Sequence, residues 1–469
     1  MKVLKNIIKV ISSNIVTIAS GIAVSFLLPK IISLSDYGFY KTFTLYFGYL
    51  GVLSLGVIDG IVLRYGEKDY TELDREKFRS YFIWYFIFHA IVTALILSAA
   101  FVTGVPEYRF IILFLGLNLI PANLIGYFQQ ISQITQRFKE YSARKILQSL
   151  CNVLFVFLLF LLCRHEFVVT YRHYLWGLLA INLLLLVWYI VTYRSIIFGP
   201  HAKLKASFPE VISLAKEGFP LLVANLCSTL LLSLDRQFVN VLFDNEAYAT
   251  YAFAYSILSL ITVATSAISI VLYPVFKRAD KEVLKRNYGL MQSVLLIFMF
   301  LAMLVYFPLV LFIGWFLPQY TPSLPIFRII LPSLAISAAI TVVMHNYYKV
   351  FGKSTAFFKK SVVALVVSFA SNAVAYLVFR SEAAISIASV FSLAVWYLDT
   401  GRGLATLCGT NRKSTLYMFL MCVLFYAATW VPNIWIGLAV YFAGLVLVSV
   451  LFFYQDIGKI RVLLVPPEK

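Results

Sequence analysis

Residues 80–103 read SYFIWYFIFHAIVTALILSAAFVT, a stretch without a single lysine, arginine, aspartate or glutamate. A helix needs about 20 apolar residues to cross ~30 Å of hydrocarbon, so this stretch predicts a membrane-spanning helix. The rest of the 469-residue chain is similar, with 61% hydrophobic and 13% charged residues. A soluble domain has about a quarter charged residues. The composition therefore excludes a disordered, collagen-like or disulfide-rich secreted protein and argues against a large soluble enzyme.

Further apolar stretches predict an all-α polytopic membrane protein with about fourteen transmembrane helices. The predicted spans are 10–32, 38–62, 80–103, 109–134, 146–163, 173–193, 218–241, 250–275, 288–313, 325–348, 361–379, 384–406, 415–432 and 434–455. Twelve spans is the alternative count, because the fifth, eleventh and thirteenth stretches are short. The first stretch is interpreted as an uncleaved span and not as a signal peptide.

The distribution of positive charge predicts the orientation. With the N-terminus inside, the inside segments hold 31 Lys and Arg residues and the outside connections hold 6. The positive-inside rule then supports fourteen spans with both termini on the cytoplasmic side of the membrane. The net charge of +18 is explained by basic loops that meet anionic membrane lipids, so we expect no nucleic-acid partner.

No stretch of the sequence predicts catalysis or cofactor binding. The five cysteines show no metal-ligand or disulfide spacing, and HExxH and GxSxG motifs are absent. The predicted outside loops are too short to carry catalytic groups. We therefore expect a transporter with no catalytic residues, no metal and no cofactor, and not an enzyme.

Three predicted spans carry a polar stripe at helical spacing. The stripes are Tyr251, Tyr255, Ser259, Thr262, Ser266, Ser269 and Tyr273 in helix 8; Asn225, Thr229, Ser233, Arg236 and Asn240 in helix 7; and Tyr40, Thr44, Gly48, Gly51 and Leu55 in helix 2. Two interpretations are open. The stripes pack helices closely through small residues and hydrogen bonds, or they line a water-filled cavity. The tyrosines favour the cavity.

Charged residues within spans are expensive in lipid and therefore face the protein interior, paired or functional. Arg236 either contacts an anionic substrate or forms a structural ion pair, and Lys41 either contacts substrate or extends to the interface. Asp399 and Arg402, one turn apart, are predicted to pair with each other. Candidates for ion coupling are Asp59, Asp235, His89 and His345; for the two histidines, a packed or hydrogen-bonding role is the alternative.

An internal repeat at an offset of 211 residues aligns Tyr37–Tyr40 with Tyr248–Tyr251. It predicts two six-helix bundles with the same orientation, related by a pseudo-two-fold axis along the membrane normal, plus two C-terminal helices. The predicted domains are residues 1–193, a basic cytoplasmic linker at 194–217, residues 218–407, and helices 13 and 14 with a cytoplasmic tail at 408–469.

Six short motifs occur in a characteristic order: LSDYGFY at 34–40, LGVIDG at 55–60, RY at 64–65, SLDR at 233–236, AYSI at 254–257 and LPQY at 317–320. Over roughly residues 5–410 the chain resembles the polysaccharide-transporter (Wzx-type O-antigen flippase) family. That family belongs to the multidrug/oligosaccharidyl-lipid/polysaccharide exporter superfamily. The resemblance implies two six-helix bundles around a central cavity that opens alternately to each side.

The resemblance implies a flippase for a polyprenyl-pyrophosphate-linked oligosaccharide, the repeat unit of an O-antigen, capsule or exopolysaccharide. Arg236 and Lys41 would contact pyrophosphate, Tyr251 and Tyr255 would contact sugars, and Asn225 is a further substrate-binding candidate. Transport would be coupled to Na⁺ or H⁺. The protein would act as a monomer, alongside polysaccharide polymerase machinery. The alternatives are an ion-coupled drug or small-molecule exporter of the same fold and, with less support, a membrane glycan polymerase or ligase.

Overall fold

The computed structural model describes residues 2–66 and 68–454, and within them no strand occurs. The side chains of residues 2–14, 261, 263, 264, 266–268, 270, 271, 273–275 and 278 are not described. The helices are α1 (Lys2–Ile31), α2 (Leu34–Phe47), α3 (Val57–Tyr65), α4 (Arg75–Val102), α5 (Pro106–Ile134), α6 (Phe138–Arg164), α7 (Tyr171–Thr192), α8 (Leu204–Leu231), α9 (Leu234–Leu242), α10 (Asn245–Arg278), α11 (Lys281–Ala302), α12 (Tyr306–Phe316), α13 (Ser323–Ile330), α14 (Ser333–Ala338), α15 (His345–Val350), α16 (Ser354–Phe379), α17 (Glu382–Cys408), α18 (Arg412–Thr429) and α19 (Ile434–Phe453).

The prediction of an all-helical polytopic chain is confirmed. Within the described residues, ten helical stretches are long and apolar enough to cross a membrane, or eleven if the bent pair α2 and α3 forms one span. The other three predicted spans correspond to α1, α10 and α18. The count of fourteen therefore stays a prediction. The predicted cytoplasmic tail, residues 459–469, lies outside the described residues.

Two predicted spans are broken, which corrects the polar stripes proposed for them. In the second span, the chain bends by 56° between Ser54 and Val57. Leu55 (φ 49°) and Gly56 (φ 83°) adopt left-handed backbone there, a conformation that favours glycine. In the seventh span, α8 ends at Leu231 and α9 begins at Leu234. Neither stripe therefore follows one continuous helix face.

The chain divides into two compact units. Unit 1 comprises Met1–Thr229 and Asp244–Ala249, and it includes residues 194–217, the predicted linker. Unit 2 comprises Leu230–Phe243 and Thr250–Lys469. The predicted domain boundaries remain a prediction.

Each unit has its own packed interior. In unit 1, aromatic and aliphatic side chains of α3, α4, α5, α7 and α8 form a continuous hydrophobic core. In unit 2, the stretch Ser323–Val350 is the most buried of the spanning segments. A π-helical stretch at Ala339–Met344 interrupts it and marks a local departure from regular α-helix.

Candidate functional site

Asp235 is the centre of a buried polar cluster in unit 2. It lies in the first turn of α9, where the helix dipole favours a negative charge, and only 3% of its surface is exposed. Its Oδ2 accepts hydrogen bonds from the hydroxyls of Tyr251, at 2.8 Å, and Tyr255. Its Oδ1 accepts a hydrogen bond from the backbone N–H of Arg236 at 2.8 Å. A buried carboxylate is costly unless it is hydrogen-bonded, and these three donors supply that stabilisation.

The two tyrosines reach Asp235 because they are four residues apart on one face of α10. Their rings stack with centroids 5.3 Å apart. Tyr251 is fully buried, whereas Tyr255 is partly exposed. The sequence analysis singled out both tyrosines and Asp235 without connecting them. Further along the same stripe, the side chains of Ser266 and Tyr273 lie outside the described residues.

Arg236 follows Asp235 in the chain but does not pair with its carboxylate. Its guanidinium lies over the Tyr255 ring, 4.9 Å from the centroid. One Nη donates a hydrogen bond to the backbone carbonyl of Leu232 at 2.9 Å. Its Nε is buried and has no hydrogen-bond partner among the described residues. Because a guanidinium has five N–H donors, Arg236 keeps hydrogen-bonding capacity that an anion can use.

Helices α16 and α17 support α9 from the side. Phe238 of α9 contacts Phe369 of α16, and Phe243, which follows α9, contacts Tyr376 of α16, with ring centroids 5.4 and 5.6 Å apart. These aromatic contacts fix the position of the short helix that carries Asp235 and Arg236. The site therefore stands on packed helices and not on a loop.

The two other predicted substrate-contacting residues lie in unit 1. Lys41 is half-buried on α2, with Nζ 5.1 and 5.0 Å from the ring centroids of Tyr37 and Tyr40. Aromatic rings stabilise a cation in this position. Asn225 is exposed on α8, and its backbone carbonyl accepts a hydrogen bond from the Thr229 hydroxyl.

The remaining ion-coupling candidates are separate from Asp235. In unit 1, Asp59 is half-buried in the first turn of α3. His89 is fully buried in α4, and its Nδ1 lies 2.8 Å from the carbonyl oxygen of Tyr85. Since a carbonyl can only accept, Nδ1 carries the proton in this contact. In unit 2, the His345 ring stacks on Phe357 with centroids 4.3 Å apart.

The predicted ion pair between Asp399 and Arg402 is wrong. The Asp399 carboxylate instead pairs with Lys360 of α16, with Nζ and Oδ1 2.8 Å apart. The cause is the close packing of α16 against α17, which brings Lys360 to the side of Asp399. A spacing of one turn makes two residues neighbours but does not exclude a partner on the next helix.

A direct backbone contact between α3 and α8 was not predicted from the sequence. A Cβ added to Gly60 would lie 2.0 Å from the Leu214 carbonyl oxygen, and one added to Gly218 would lie 2.0 Å from the Gly56 carbonyl oxygen. Glycine at these three positions lets the helices approach without intervening side chains. The four-residue spacing of Gly56 and Gly60 is the small-residue pattern that could have predicted this contact.

Charged side chains continue the same contact beyond the glycines. Arg64 of α3 forms an ion pair with Glu217 of α8 and donates a hydrogen bond to Ser213 at 2.8 Å. Lys77 of α4 pairs with Glu210 of α8, with 3.2 Å between Nζ and Oε1. Gly56, Gly60 and Arg64 belong to the motifs quoted for the family resemblance, so in unit 1 these motif residues hold α3 to α8.

No group of three or more histidine, cysteine, aspartate or glutamate side chains is placed to hold a metal ion in the described part of the chain. All five cysteines are free.

Solved structures with a similar fold are membrane transporters and a flippase. The lipid II flippase MurJ in its inward closed conformation has a TM-score of 0.65 and 15% identity, and the match covers 97% of this chain and 100% of that one. An inward-facing multidrug resistance MATE family transporter of the MOP superfamily has a TM-score of 0.57 and 13% identity, covering 88% and 96%. The bent form of the Vibrio cholerae MATE transporter VcmN has a TM-score of 0.52 and 15% identity, covering 89% and 98%.

These likenesses show that the chain has the fold of these membrane proteins. No curated protein matches the chain. A family model described as polysaccharide biosynthesis protein matches residues 3–280, which is more than half of the chain. Together with the helical membrane fold, this match identifies the chain as a member of the polysaccharide biosynthesis protein family.

Proposed function

We propose that this protein is a flippase that moves a polyprenyl-pyrophosphate-linked oligosaccharide across the bacterial cytoplasmic membrane by alternating access. The cargo is the repeat unit of an O-antigen, capsule or exopolysaccharide. The proposal is supported by Arg236, a cation of the predicted seventh span whose Nε is buried and has no hydrogen-bond partner among the described residues. A cation at membrane depth is expensive and is retained for a function.

Arg236 binds the pyrophosphate through charge-assisted hydrogen bonds. Tyr255, whose ring lies beneath the Arg236 guanidinium, is the residue next to it that we propose contacts the sugars. In unit 2, Tyr251 is a further proposed sugar contact. In unit 1, Lys41 is proposed to contact pyrophosphate, and Asn225 is a further substrate-binding candidate. The polar headgroup thereby exchanges contacts with water for contacts with the protein, which lowers the barrier to crossing hydrocarbon.

Asp235 is the first candidate for Na⁺ or H⁺ coupling, since its carboxylate is buried and held by hydroxyl groups. Asp59, His89 and His345 are further candidates. We propose that the chain acts as a monomeric transporter and not as an enzyme, alongside the polysaccharide polymerase machinery, with both termini in the cytoplasm.

The proposal is tested by reconstituting the protein in liposomes with a fluorescent polyprenyl-pyrophosphate oligosaccharide. An external glycosidase reports the sugars that become accessible. We expect the oligosaccharides of the inner leaflet to become accessible to the glycosidase only when the protein is present. We also expect this exposure to require Arg236. Arg328→Gln is the matched control, because Arg328 is also an arginine within a span of unit 2 and lies over the Trp430 ring at 4.4 Å. Equal rates for Arg236→Gln and the wild type would contradict the role of Arg236.

An ion-coupled exporter of organic cations is the second candidate. It is favoured by the buried carboxylate of Asp235, which suits a cationic cargo or a coupling ion. The same liposomes, loaded with a fluorescent organic cation and given an imposed Na⁺ or H⁺ gradient, distinguish the two functions. Gradient-driven cation transport without exposure of the oligosaccharide would replace the flippase proposal.

A further inference from the structure

An apolar groove runs along the contact between α16 and α17 in unit 2. The two helices form a hairpin joined by Arg380 and Ser381. The groove has a volume of about 870 Å³. It is lined by small residues, among them Ala370, Ala384 and Ala388, and by the larger Phe379, Ile387 and Phe391. The small residues leave space that larger side chains would fill.

The groove suits a hydrocarbon chain. It extends along α16 from Val367 to Phe379, which is about 18 Å at 1.5 Å per residue. Both helices are apolar enough to span a membrane, so the groove lies at membrane depth. The one polar lining residue on α16, Ser371, already bonds Ser392, with the two hydroxyls 2.7 Å apart. An apolar groove that faces the hydrocarbon of a bilayer is complementary to a lipid chain.

A positive charge stands at one end of the groove. Arg380 lies between Phe379 and Ser381, which both line the groove, and its side chain is exposed. Its backbone is left-handed (φ 46°) as it closes α16. Within residues 2–66 and 68–454, the Arg380 guanidinium forms no ion pair. Arginine binds phosphate with paired N–H donors, so the end of the groove is complementary to a lipid phosphate.

The position of the groove distinguishes its occupant from the transported molecule. Helix α9, which carries Asp235 and Arg236, and the following residue Phe243 contact Phe369 and Tyr376 of α16. At 100° per residue, these two positions lie on the side of α16 opposite Val367, Ser371 and Val374, which line most of the length of the groove. We infer that the groove between α16 and α17 binds a phospholipid of the bilayer, with one acyl chain along the groove and its phosphate on Arg380. The site does not depend on which molecule the protein transports.

The inference is tested by native mass spectrometry. The purified protein is first reconstituted into nanodiscs of phosphatidylethanolamine and phosphatidylglycerol, and the lipids that stay bound to it are then measured. Ala370→Phe with Ala384→Phe fills the groove from side chains that are at least partly exposed. Arg380→Gln removes the charge. The matched controls are Ala443→Phe, an exposed alanine of α19, and Arg164→Gln, an exposed arginine that ends α6.

We expect the wild type and both controls to retain one phospholipid per chain. The groove-filled variant should lose it, and Arg380→Gln should weaken retention roughly tenfold through loss of charge-assisted hydrogen bonds. Equal retention by the groove-filled variant and its control would overturn the inference. So would stoichiometric replacement of the phospholipid by added polyprenyl diphosphate.

The wild-type protein can also be tested directly by photolabelling, so this result does not depend on whether the variants fold. A phospholipid with a diazirine in its acyl chain is photolysed in the nanodisc, and the labelled peptides are mapped. Labels concentrated on residues 367–391 support the inference. Labels spread evenly over the exposed apolar helices, with no excess on this hairpin, contradict it.

Discussion

Asp235 and Arg236 are neighbours in the chain, yet their side chains interact with different partners. The Asp235 carboxylate accepts hydrogen bonds from two tyrosine hydroxyls, while the Arg236 guanidinium lies on the face of Tyr255 and bonds a backbone carbonyl. The Asp235 carboxylate is therefore stabilised without an ion pair to the Arg236 guanidinium. The arginine remains available for an anion from outside, and the two residues are expected to give separable mutant phenotypes.

Replacing Arg236 by glutamine should lower the flipping rate by about tenfold to a hundredfold, because charge-assisted hydrogen bonds contribute about 1.5–3 kcal/mol. Arg236→Lys should retain part of the rate, since the charge stays and the paired donor geometry is lost. The liposome assay gives the rates. The thermal unfolding midpoint should change little in either variant, and a large drop would point to a structural role instead.

Removing the Tyr251 hydroxyl should destabilise unit 2. In Tyr251→Phe the buried Asp235 carboxylate loses one of its hydrogen bonds, a loss of about 1.5–3 kcal/mol. Scanning fluorimetry should show a lower unfolding midpoint. The matched control is Tyr127→Phe, because the Tyr127 hydroxyl is buried and has no hydrogen-bond partner among the described residues. That variant should be neutral or slightly stabilising, so equal losses in both would refute the assigned hydrogen bond.

The contact between α3 and α8 should not tolerate even one methyl group. In Gly60→Ala, the new Cβ would lie 2.0 Å from the carbonyl oxygen of Leu214, so the backbones must separate. Overpacking of this kind costs about 1–3 kcal/mol. Gly126→Ala on α5 is the control, because no heavy atom lies within 4 Å of the added Cβ. Yield and unfolding midpoint should fall for Gly60→Ala alone.

The ion pair of Asp399 with Lys360 predicts a difference between two basic residues on neighbouring helices. Lys360→Gln should lower the unfolding midpoint slightly, because half-exposed ion pairs contribute at most about 1 kcal/mol. Arg402→Gln should have less effect. The decisive measurement is a double-mutant cycle with Asp399→Asn, in which coupling to Lys360 and none to Arg402 is expected. The reverse pattern would restore the pairing suggested by the sequence.

The helical membrane fold could be predicted from the sequence because each span must satisfy its backbone hydrogen bonds internally and expose apolar side chains to lipid. The breaks within spans were harder to predict. Gly56 is a sequence signal for the bend between Ser54 and Val57, but the sequence predicted an unbroken span there. The break between α8 and α9 falls at Leu232 and Ser233, without a glycine or proline. Hydropathy counts apolar residues and does not detect a change of helix direction.

The sequence singles out the residues of the Asp235 cluster but not the contacts between them. Helical spacing brought Tyr251 and Tyr255 to one face, and intramembrane charge singled out Asp235 and Arg236. The hydrogen bonds between α9 and α10 depend on how two helices pack, which spacing along one helix does not specify. Lys360 was missed as the partner of Asp399 for the same reason.

The backbone contact of Gly56, Gly60 and Gly218 restricts how this chain can be redesigned. At these three glycines any side chain would collide with the neighbouring backbone. A mutant library that included these positions would therefore lose most of its members to misfolding. The half-exposed positions around Arg236 leave more freedom. An engineer who wished to alter the proposed cargo preference would keep Gly56, Gly60 and Gly218 fixed and diversify the surroundings of α9.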